Sequence, residues 1–197
     1  MRTLFAAAAI LGVFAAETPT GYIAVPDRTS ADMAKAVYVA AGTNWDVTTG
    51  PAHILFANKD AATGSYAATA TFQQLAKPTH PEAYGIFIGG KNLTDTAQRT
   101  YTYFVVRGDG KYLVKVMNGS KTTTLTDWTA SPNVPVEDAT GKATYKLYVH
   151  IAATEIHFMV NGNLTATVPK GTNPTDGIAG LRINHNLHLM VTPLSIN

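Results

Sequence analysis

The sequence has no cysteine, and only 14% of its 197 residues are charged. Without cysteine there are no disulfides, so the fold depends on its hydrophobic core, which a chain of this length can build. Hydrophobic residues make up 46% of the chain, which argues against disorder. The formal net charge is +2 and no Lys/Arg run occurs, so nothing indicates a nucleic-acid partner or an anionic membrane surface.

Common motifs of catalysis and of cofactor binding are also missing. No Gly-x-Ser-x-Gly occurs, and the serines fall in predicted turns or near the chain ends. The run Gly108-Asp109-Gly110 predicts a hairpin turn, whereas a phosphate-binding loop joins a strand to a helix. We therefore predict no catalytic residue and no cofactor.

Residues 1–16 predict a secretory signal peptide. Arg2 supplies the positive start, Leu4–Phe14 forms the apolar centre, and Ala15 belongs to a small-residue cleavage site. The apolar run is too short for a membrane span, which needs about 20 residues. We expect residues 17–197 to form a single secreted or periplasmic domain. A buried N-terminal helix is the alternative for residues 1–16.

The stretch from residue 143 to residue 168 predicts three consecutive antiparallel strands. Apolar and polar residues alternate along it with a period of two, which is typical of strands with one buried face. Pairing Val149 with Phe158 keeps both apolar sets on one side and sets His150 opposite His157.

Two turns fix the expected registers. A three-residue loop at Asn161–Asn163 would set Phe158 opposite Ala166, because a two-residue turn shifts the register by one and exchanges the faces. A two-residue turn at Asp109-Gly110 would pair Arg107 with Tyr112, and would place both on one hairpin face with Tyr103.

Further short strands, with turn residues every 8–12 positions, complete the pattern. No long amphipathic helix, internal repeat or domain linker is evident. The predicted fold class is therefore all-β, a two-sheet antiparallel β-sandwich.

Four segments carry a resemblance to a known superfamily. In chain order they are YGIFIGG, YTYFVVRGDGKYLVKV, KLYVHIAATEIHFMVNG and GIAGLRINHNL. Their order resembles the concanavalin A-like lectin/glucanase superfamily, and within it secreted bacterial domains related to the laminin-G-like and 3-keto-disaccharide hydrolase-like groups. The resemblance covers roughly residues 44–196. It implies a jelly roll with one concave sheet, the surface on which relatives hold glycans.

The resemblance also implies where glucanase carboxylates would lie. Retaining glucanases of this superfamily carry Glu-x-Asp-x-x-Glu on one strand, since their reaction needs two carboxyl groups about 5–5.5 Å apart. The glutamates of this chain are Glu17, Glu82, Glu137 and Glu155. None has a second carboxylate within four residues on a predicted strand, so hydrolysis by this mechanism is not expected.

Histidines are the remaining metal-ligand type. His150 and His157 are predicted to face each other, with Glu155 near the turn on the same side. A metal site normally needs a third or fourth ligand, and a solvent-facing histidine pair is the commoner arrangement. His185 and His188 flank a predicted bend without the i, i+2 spacing of a strand. We predict no metal site.

Sugar binding needs aromatic rings that stack on pyranose faces, together with polar groups that hydrogen-bond to hydroxyls. Six side chains predicted to face away from the core are of these types. They are Tyr148, His150, His157, Arg182, Asn184 and Arg107. We expect Tyr148 to stack on a sugar while Arg182 and Asn184 hydrogen-bond to it on the same face.

These observations favour a secreted, lectin-like module that binds a glycan or oligosaccharide. Two alternatives stay open: an enzyme that acts on a modified disaccharide, and a non-catalytic interaction domain at the cell surface. A pocket with convergent His, Arg and carboxylate groups would favour the enzyme. A shallow groove with exposed aromatic rings would favour sugar binding.

Overall fold

A computed structural model describes residues 18–197, so the predicted signal peptide at residues 1–16 lies outside the described part. The strands are β1 (Ile23–Pro26), β2 (Val37–Ala41), β3 (Asn44–Thr48), β4 (His53–Ala62), β5 (Tyr66–Gln74), β6 (Ala83–Lys91), β7 (Thr100–Arg107), β8 (Lys111–Asn118), β9 (Lys121–Ala130), β10 (Ala143–Ile151), β11 (Glu155–Val160), β12 (Asn163–Pro169), β13 (Gly177–Ile183), β14 (His188–Val191) and β15 (Ser195–Ile196). A short 3₁₀ helix spans Met33–Lys35. Between residues 18 and 197, no helix has the length and apolar character needed to cross a bilayer.

The strands form two antiparallel sheets. The first sheet has the spatial order β1-β4-β13-β6-β7-β8-β9. The second has the order β12-β11-β10-β5-β14-β3-β2, and β15 also pairs with β5. This architecture confirms the predicted two-sheet antiparallel β-sandwich.

The main core lies between the two sheets. Phe104 of β7 and Phe158 of β11 are fully buried, and their ring centroids lie 5.0 Å apart. Phe72 of β5 and Tyr84 of β6 make a similar contact at 5.5 Å. Burying each such side chain contributes about 1.5–3 kcal/mol, so the inward residues hold the sheets together.

The strands β10, β11 and β12 confirm most of the predicted register. Val149 pairs with Phe158, and His150 pairs with His157. Phe158 also pairs with Ala166, as expected. The apolar residues of all three strands therefore share the face that packs on the first sheet.

The turn between β11 and β12 differs from the prediction. Val160 pairs directly with Asn163, so the loop has only two residues, Asn161 and Gly162. Their φ angles of 52° and 83° are those of a type I′ turn, which Asn-Gly favours. A β-bulge next to Phe158 takes up the one-residue shift, so the faces are not exchanged.

The β7–β8 hairpin is shifted by one residue from the predicted register. Arg107 pairs with Lys111 because the loop has three residues and ends on Gly110, whose φ is 83°. Tyr112 consequently points into the core between the sheets. The expectation that Tyr112 shares a face with Arg107 and Tyr103 is therefore wrong.

The outer face of the first sheet carries a second cluster of buried side chains. They are Val25, Ile54, Phe56, Ala83, Phe87, Leu93, Tyr101, Tyr103, Val105, Leu113 and Met117. These residues alternate along the strands with those of the main core: Phe87, for example, lies between Ile86 and Ile88. The central strands of the first sheet are thus buried on both faces, whereas the edge strand β9 is largely exposed.

Candidate functional site

The six side chains predicted to bind a ligand lie on two separate surfaces. Arg107 and Arg182 belong to the first sheet, and Asn184 follows β13; Tyr148, His150 and His157 belong to the second sheet. The hydrophobic core lies between these surfaces. The expectation that Tyr148, Arg182 and Asn184 contact one sugar is therefore wrong.

Arg182 forms a buried ion pair on the outer face of the first sheet. Its side chain is 9% exposed, its Nη2 donates to Asp27 Oδ2, and its Nη1 donates to the carbonyl oxygen of His53 at 3.2 Å. Burial by itself would lower the pKa of Arg182, but the Asp27 carboxylate raises it above its ordinary value. Arg182 is therefore part of the scaffold, because its loss would leave a partly buried carboxylate without its counter-ion.

Arg99 also binds the segment around Asp27, through backbone carbonyl oxygens. Its Nη1 donates to the carbonyl oxygen of Pro26 at 3.1 Å, and its Nη2 donates to that of Asp27 at 3.2 Å. Nη2 also lies 3.6 Å from Asp27 Oδ1. Two arginines thus fix the segment that follows β1 against the outer face of the first sheet.

Among residues 18–197, several buried polar atoms of this group find no hydrogen-bond partner. They are Asp27 Oδ1, Arg99 Nε, Tyr101 Oη and Arg182 Nε. Buried polar atoms of folded proteins are nearly always hydrogen-bonded, so their concentration here is unusual. All four atoms are shielded from solvent, so a group from outside the chain reaches them only if neighbouring side chains move. We call Asp27, Arg99, Tyr101 and Arg182 the arginine cluster.

Two open cavities flank the arginine cluster. The first, of about 530 Å³, is lined by Asp27, Arg28, Arg182, Asn184 and His185, among others. The second, of about 470 Å³, is lined by Asp27 and Arg28 together with Arg99, Thr96 and Ser120. The exposed side chain of Arg28 belongs to both, so a ligand in either cavity would meet it.

A second polar group lies beside the first cavity. His80 Nε2 is 2.7 Å from Glu82 Oε1, and His185 Nε2 is 3.0 Å from the same oxygen. The two Nε2 atoms are 3.3 Å apart. Glu82 is only 5% exposed, whereas both histidine side chains are about half exposed. These three residues have the types and the spacing of metal ligands.

We call His80, Glu82 and His185 the His-Glu-His cluster, and no local sequence pattern predicts it. In the sequence, His185 only flanks a predicted bend and Glu82 lacks a neighbouring carboxylate, so neither of them, nor His80, is expected to bind a metal. The missing information was long-range, since β13 pairs with β6 and sets Ile183 opposite Tyr84. That register brings the residues after β13 next to those before β6.

The outer face of the second sheet carries a row of three aromatic rings. The centroids of Tyr148 and His150 are 6.4 Å apart, and those of His150 and His157 are 5.6 Å apart. His157 Nε2 lies 3.1 Å from Glu155 Oε2. This row can offer a stacking surface.

Arg107 is engaged within its own sheet. Its Nε and Nη2 donate to the two carboxylate oxygens of Asp109, the first at 3.0 Å. Its guanidinium lies 4.1 Å from the ring centre of Trp128. With these bonds and this stacking contact, Arg107 stabilises the β7–β8 hairpin.

No protein-family model matches the sequence, and no curated protein matches it. Solved structures match across nearly the whole chain. The carbohydrate-binding module CBM66 from Bacillus subtilis has a TM-score of 0.65 and 8% identity, over 90% of this chain and 96% of the module. A Bacillus subtilis protein of unknown function with a galectin-like fold has a TM-score of 0.63 and 10% identity, over 89% and 88%.

The exoplasmic/lumenal domain of VIP36, in its Ca²⁺/Man-bound form, has a TM-score of 0.58 and 8% identity, over 90% of this chain and 82% of that domain. Identities this low establish the fold alone. The chain is a β-sandwich of the jelly-roll type found in galectin-like proteins and carbohydrate-binding modules, consistent with a concanavalin A-like fold.

Proposed function

We propose that residues 17–197 form a secreted, lectin-like domain that binds a glycan on the outer face of the first sheet. The secretory part of this proposal rests on residues 1–16. Binding is supported by the neighbours of similar fold, one of which is a carbohydrate-binding module and another a Man-bound domain.

One observation carries the location of the site: two open cavities share Asp27 and Arg28 and are lined by Arg182 and Arg99 respectively. A guanidinium only donates hydrogen bonds and a carboxylate only accepts them, whereas a sugar hydroxyl does both. Hydroxyls of a ligand can therefore pair with the exposed guanidinium of Arg28 and the partly exposed carboxylate of Asp27, which line both cavities. Asn184 lines the first cavity and would contact the next part of the ligand.

Arg28 is the residue with which to test this site. Because it is exposed and lines both cavities, Arg28→Ala removes a ligand contact without removing packing. A lost hydrogen bond to a charged group costs about 1.5–3 kcal/mol, so affinity should fall roughly tenfold to a hundredfold. The full chain is screened on a glycan array, and each hit is then titrated calorimetrically against the wild type and the variant.

Lys146→Ala is the matched control, because it removes an exposed cation from the outer face of the second sheet. It should leave both affinity and melting temperature unchanged. Failure of every glycan to bind would overturn the proposed function. If the wild type and Arg28→Ala bound the glycan with equal affinity, the binding site would not lie on the outer face of the first sheet.

The aromatic row Tyr148, His150 and His157 is the second candidate surface for the same function. Its support is the spacing of the three rings on one face, which suits stacking on a sugar. Loss of binding in Tyr148→Ala, with binding intact in Arg28→Ala, would assign the site to this row.

An enzyme that acts on a modified disaccharide is the second candidate function, in line with the resemblance to 3-keto-disaccharide hydrolase-like domains. One observation favours it: His185, Arg182 and Asp27 line one cavity, next to Glu82 and His80. Chromatography of each bound oligosaccharide after incubation separates the two functions. An unchanged oligosaccharide favours a binding module, whereas a new product favours catalysis.

A further inference from the structure

We propose that His80, Glu82 and His185 form a binding site for a divalent transition-metal ion, with Zn²⁺ as the fitting probe. The site lies where the segment before β6 meets the segment after β13, beside the first cavity. It is independent of glycan binding, and its test needs no sugar.

The spacing of the three ligand atoms supports an ion between them. Zn²⁺ binds imidazole nitrogen and carboxylate oxygen at about 2.0–2.2 Å, so tetrahedral ligand atoms lie roughly 3.3–3.6 Å apart. The two Nε2 atoms are already 3.3 Å apart, and Glu82 Oε1 lies 2.7 and 3.0 Å from them. The distances from Glu82 Oε1 to the two nitrogens would have to grow by roughly 0.3–0.9 Å. Both histidine side chains are half exposed, so they have room to move.

Charge supports the same conclusion. The Glu82 carboxylate is 5% exposed, and within the described residues its only salt-bridge partners are the two histidines. A buried carboxylate needs a compensating charge or strong hydrogen bonds. A divalent cation would supply that charge and would also accept the lone pair of each imidazole.

The groups around the ligands are arranged to hold them. Asn184 Nδ2 donates to Glu82 Oε2 at 3.0 Å, which leaves Oε1 free to face the histidines. His80 Nδ1 lies 3.1 Å from Thr79 Oγ1, and Asn186 Nδ2 donates to that same hydroxyl. Metal-binding histidines usually use their second ring nitrogen for such a hydrogen bond, which fixes the ring.

Two histidines and one glutamate leave at least one coordination position for water or another oxygen ligand. His185 also lines the first cavity, so this position can face the cavity. Nitrogen and carboxylate ligands suit Zn²⁺ and neighbouring transition metals better than Ca²⁺, which takes six to eight oxygen ligands.

The test is calorimetric titration of the EDTA-treated, tag-free full chain with ZnCl₂, accompanied by CoCl₂ titration read from visible absorption. We expect one ion per chain and an absorption spectrum of low-coordinate Co²⁺. His80→Ala and His185→Ala should each abolish binding or weaken it by more than about a hundredfold. Thr79→Val, which removes the hydroxyl bonded to His80 and Asn186 but no metal ligand, should weaken it about tenfold to a hundredfold.

His157→Ala and His188→Ala are matched controls, because each removes a histidine that contacts a carboxylate outside the cluster. Both should bind Zn²⁺ like the wild type. Absence of saturable binding, or equal binding by His80→Ala and the wild type, would overturn the proposal. Circular dichroism of each variant separates loss of a ligand from loss of the fold.

Discussion

The outer faces of the two sheets differ although both belong to the same sandwich. On the second sheet, outward residues such as Lys146, Tyr148 and His150 are exposed or half-buried. On the first sheet, outward residues such as Phe87 and Tyr101 are as buried as those of the core. The first sheet therefore holds its polar groups in a largely dehydrated setting, whereas the second presents them to solvent.

Burial makes the polar groups of the first sheet interdependent. Arg99 and Arg182 both act on Asp27, and their remaining donors have no partner inside the described chain. Electrostatic interactions and hydrogen bonds are stronger in such surroundings, and unpaired groups there are costly.

The largest expected effect tests the burial of the first sheet's outer face. Phe87→Ala should destabilise the protein by about 3–5 kcal/mol although Phe87 points away from the main core, because its side chain is fully buried. Phe158→Ala, between the sheets, should cost a similar amount. Urea denaturation of both variants measures the two free energies of unfolding.

If Phe87→Ala cost less than about 1 kcal/mol while Phe158→Ala cost the expected amount, the outer face would be solvated in solution. The outer faces of the two sheets would then not differ in burial. The slope of the denaturation curve is the check that both variants still unfold in one transition.

The sequence predicts the second sheet better than the first, for a physical reason. Around Phe158 one face is apolar and the other polar, so a period of two determines both the strand and its orientation. YGIFIGG and YTYFVV are nearly continuous apolar runs, as expected for strands buried on both faces, and periodicity cannot orient them. Alternation correctly predicts that Arg182 points away from the main core. It cannot predict that other residues bury this outer face, so Arg182 is not solvent-exposed as expected.

The candidate sites were less predictable than the fold because they depend on long-range pairing. Asp27 contacts Arg182 and Arg99, and His80 contacts His185. The residues in these contacts are 72 to 155 positions apart in the sequence. No local spacing encodes such contacts. The facing pair His150 and His157 was predictable because a single hairpin sets its register.

The effect of intermediate size is the pH dependence of stability caused by His53, whose carbonyl oxygen accepts a hydrogen bond from Arg182. His53 Nδ1 donates to the carbonyl oxygen of Pro51 at 2.8 Å, and its Nε2 is bonded to the hydroxyl of Tyr38. Burial lowers the pKa of His53 to about 4. Between that pH and about 6.5, the unfolded chain binds the proton and the folded chain does not, so stability falls as pH falls.

The loss should total on the order of 3 kcal/mol between pH 7 and pH 4. His53→Gln cannot take up this proton, so the difference in unfolding free energy between wild type and variant should shrink as the pH is lowered. Denaturation series at closely spaced pH values measure it. Two parallel curves would show that His53 is protonated alike in both states.

The smallest expected effect is on the second sheet. His157 pairs with His150 across the strands, and its side chain, 27% exposed, contacts the half-exposed Glu155. Pairs of this kind contribute about 0–1 kcal/mol, because water screens the charges and ordering the side chains costs entropy. His157→Ala should therefore change the free energy of unfolding by less than about 1 kcal/mol. His157 directly precedes Phe158 on β11 and points to the opposite face, so a loss above about 2 kcal/mol would mean that the outer face of the second sheet is covered as well. The contrast between the outer faces would then be one of polarity rather than of burial.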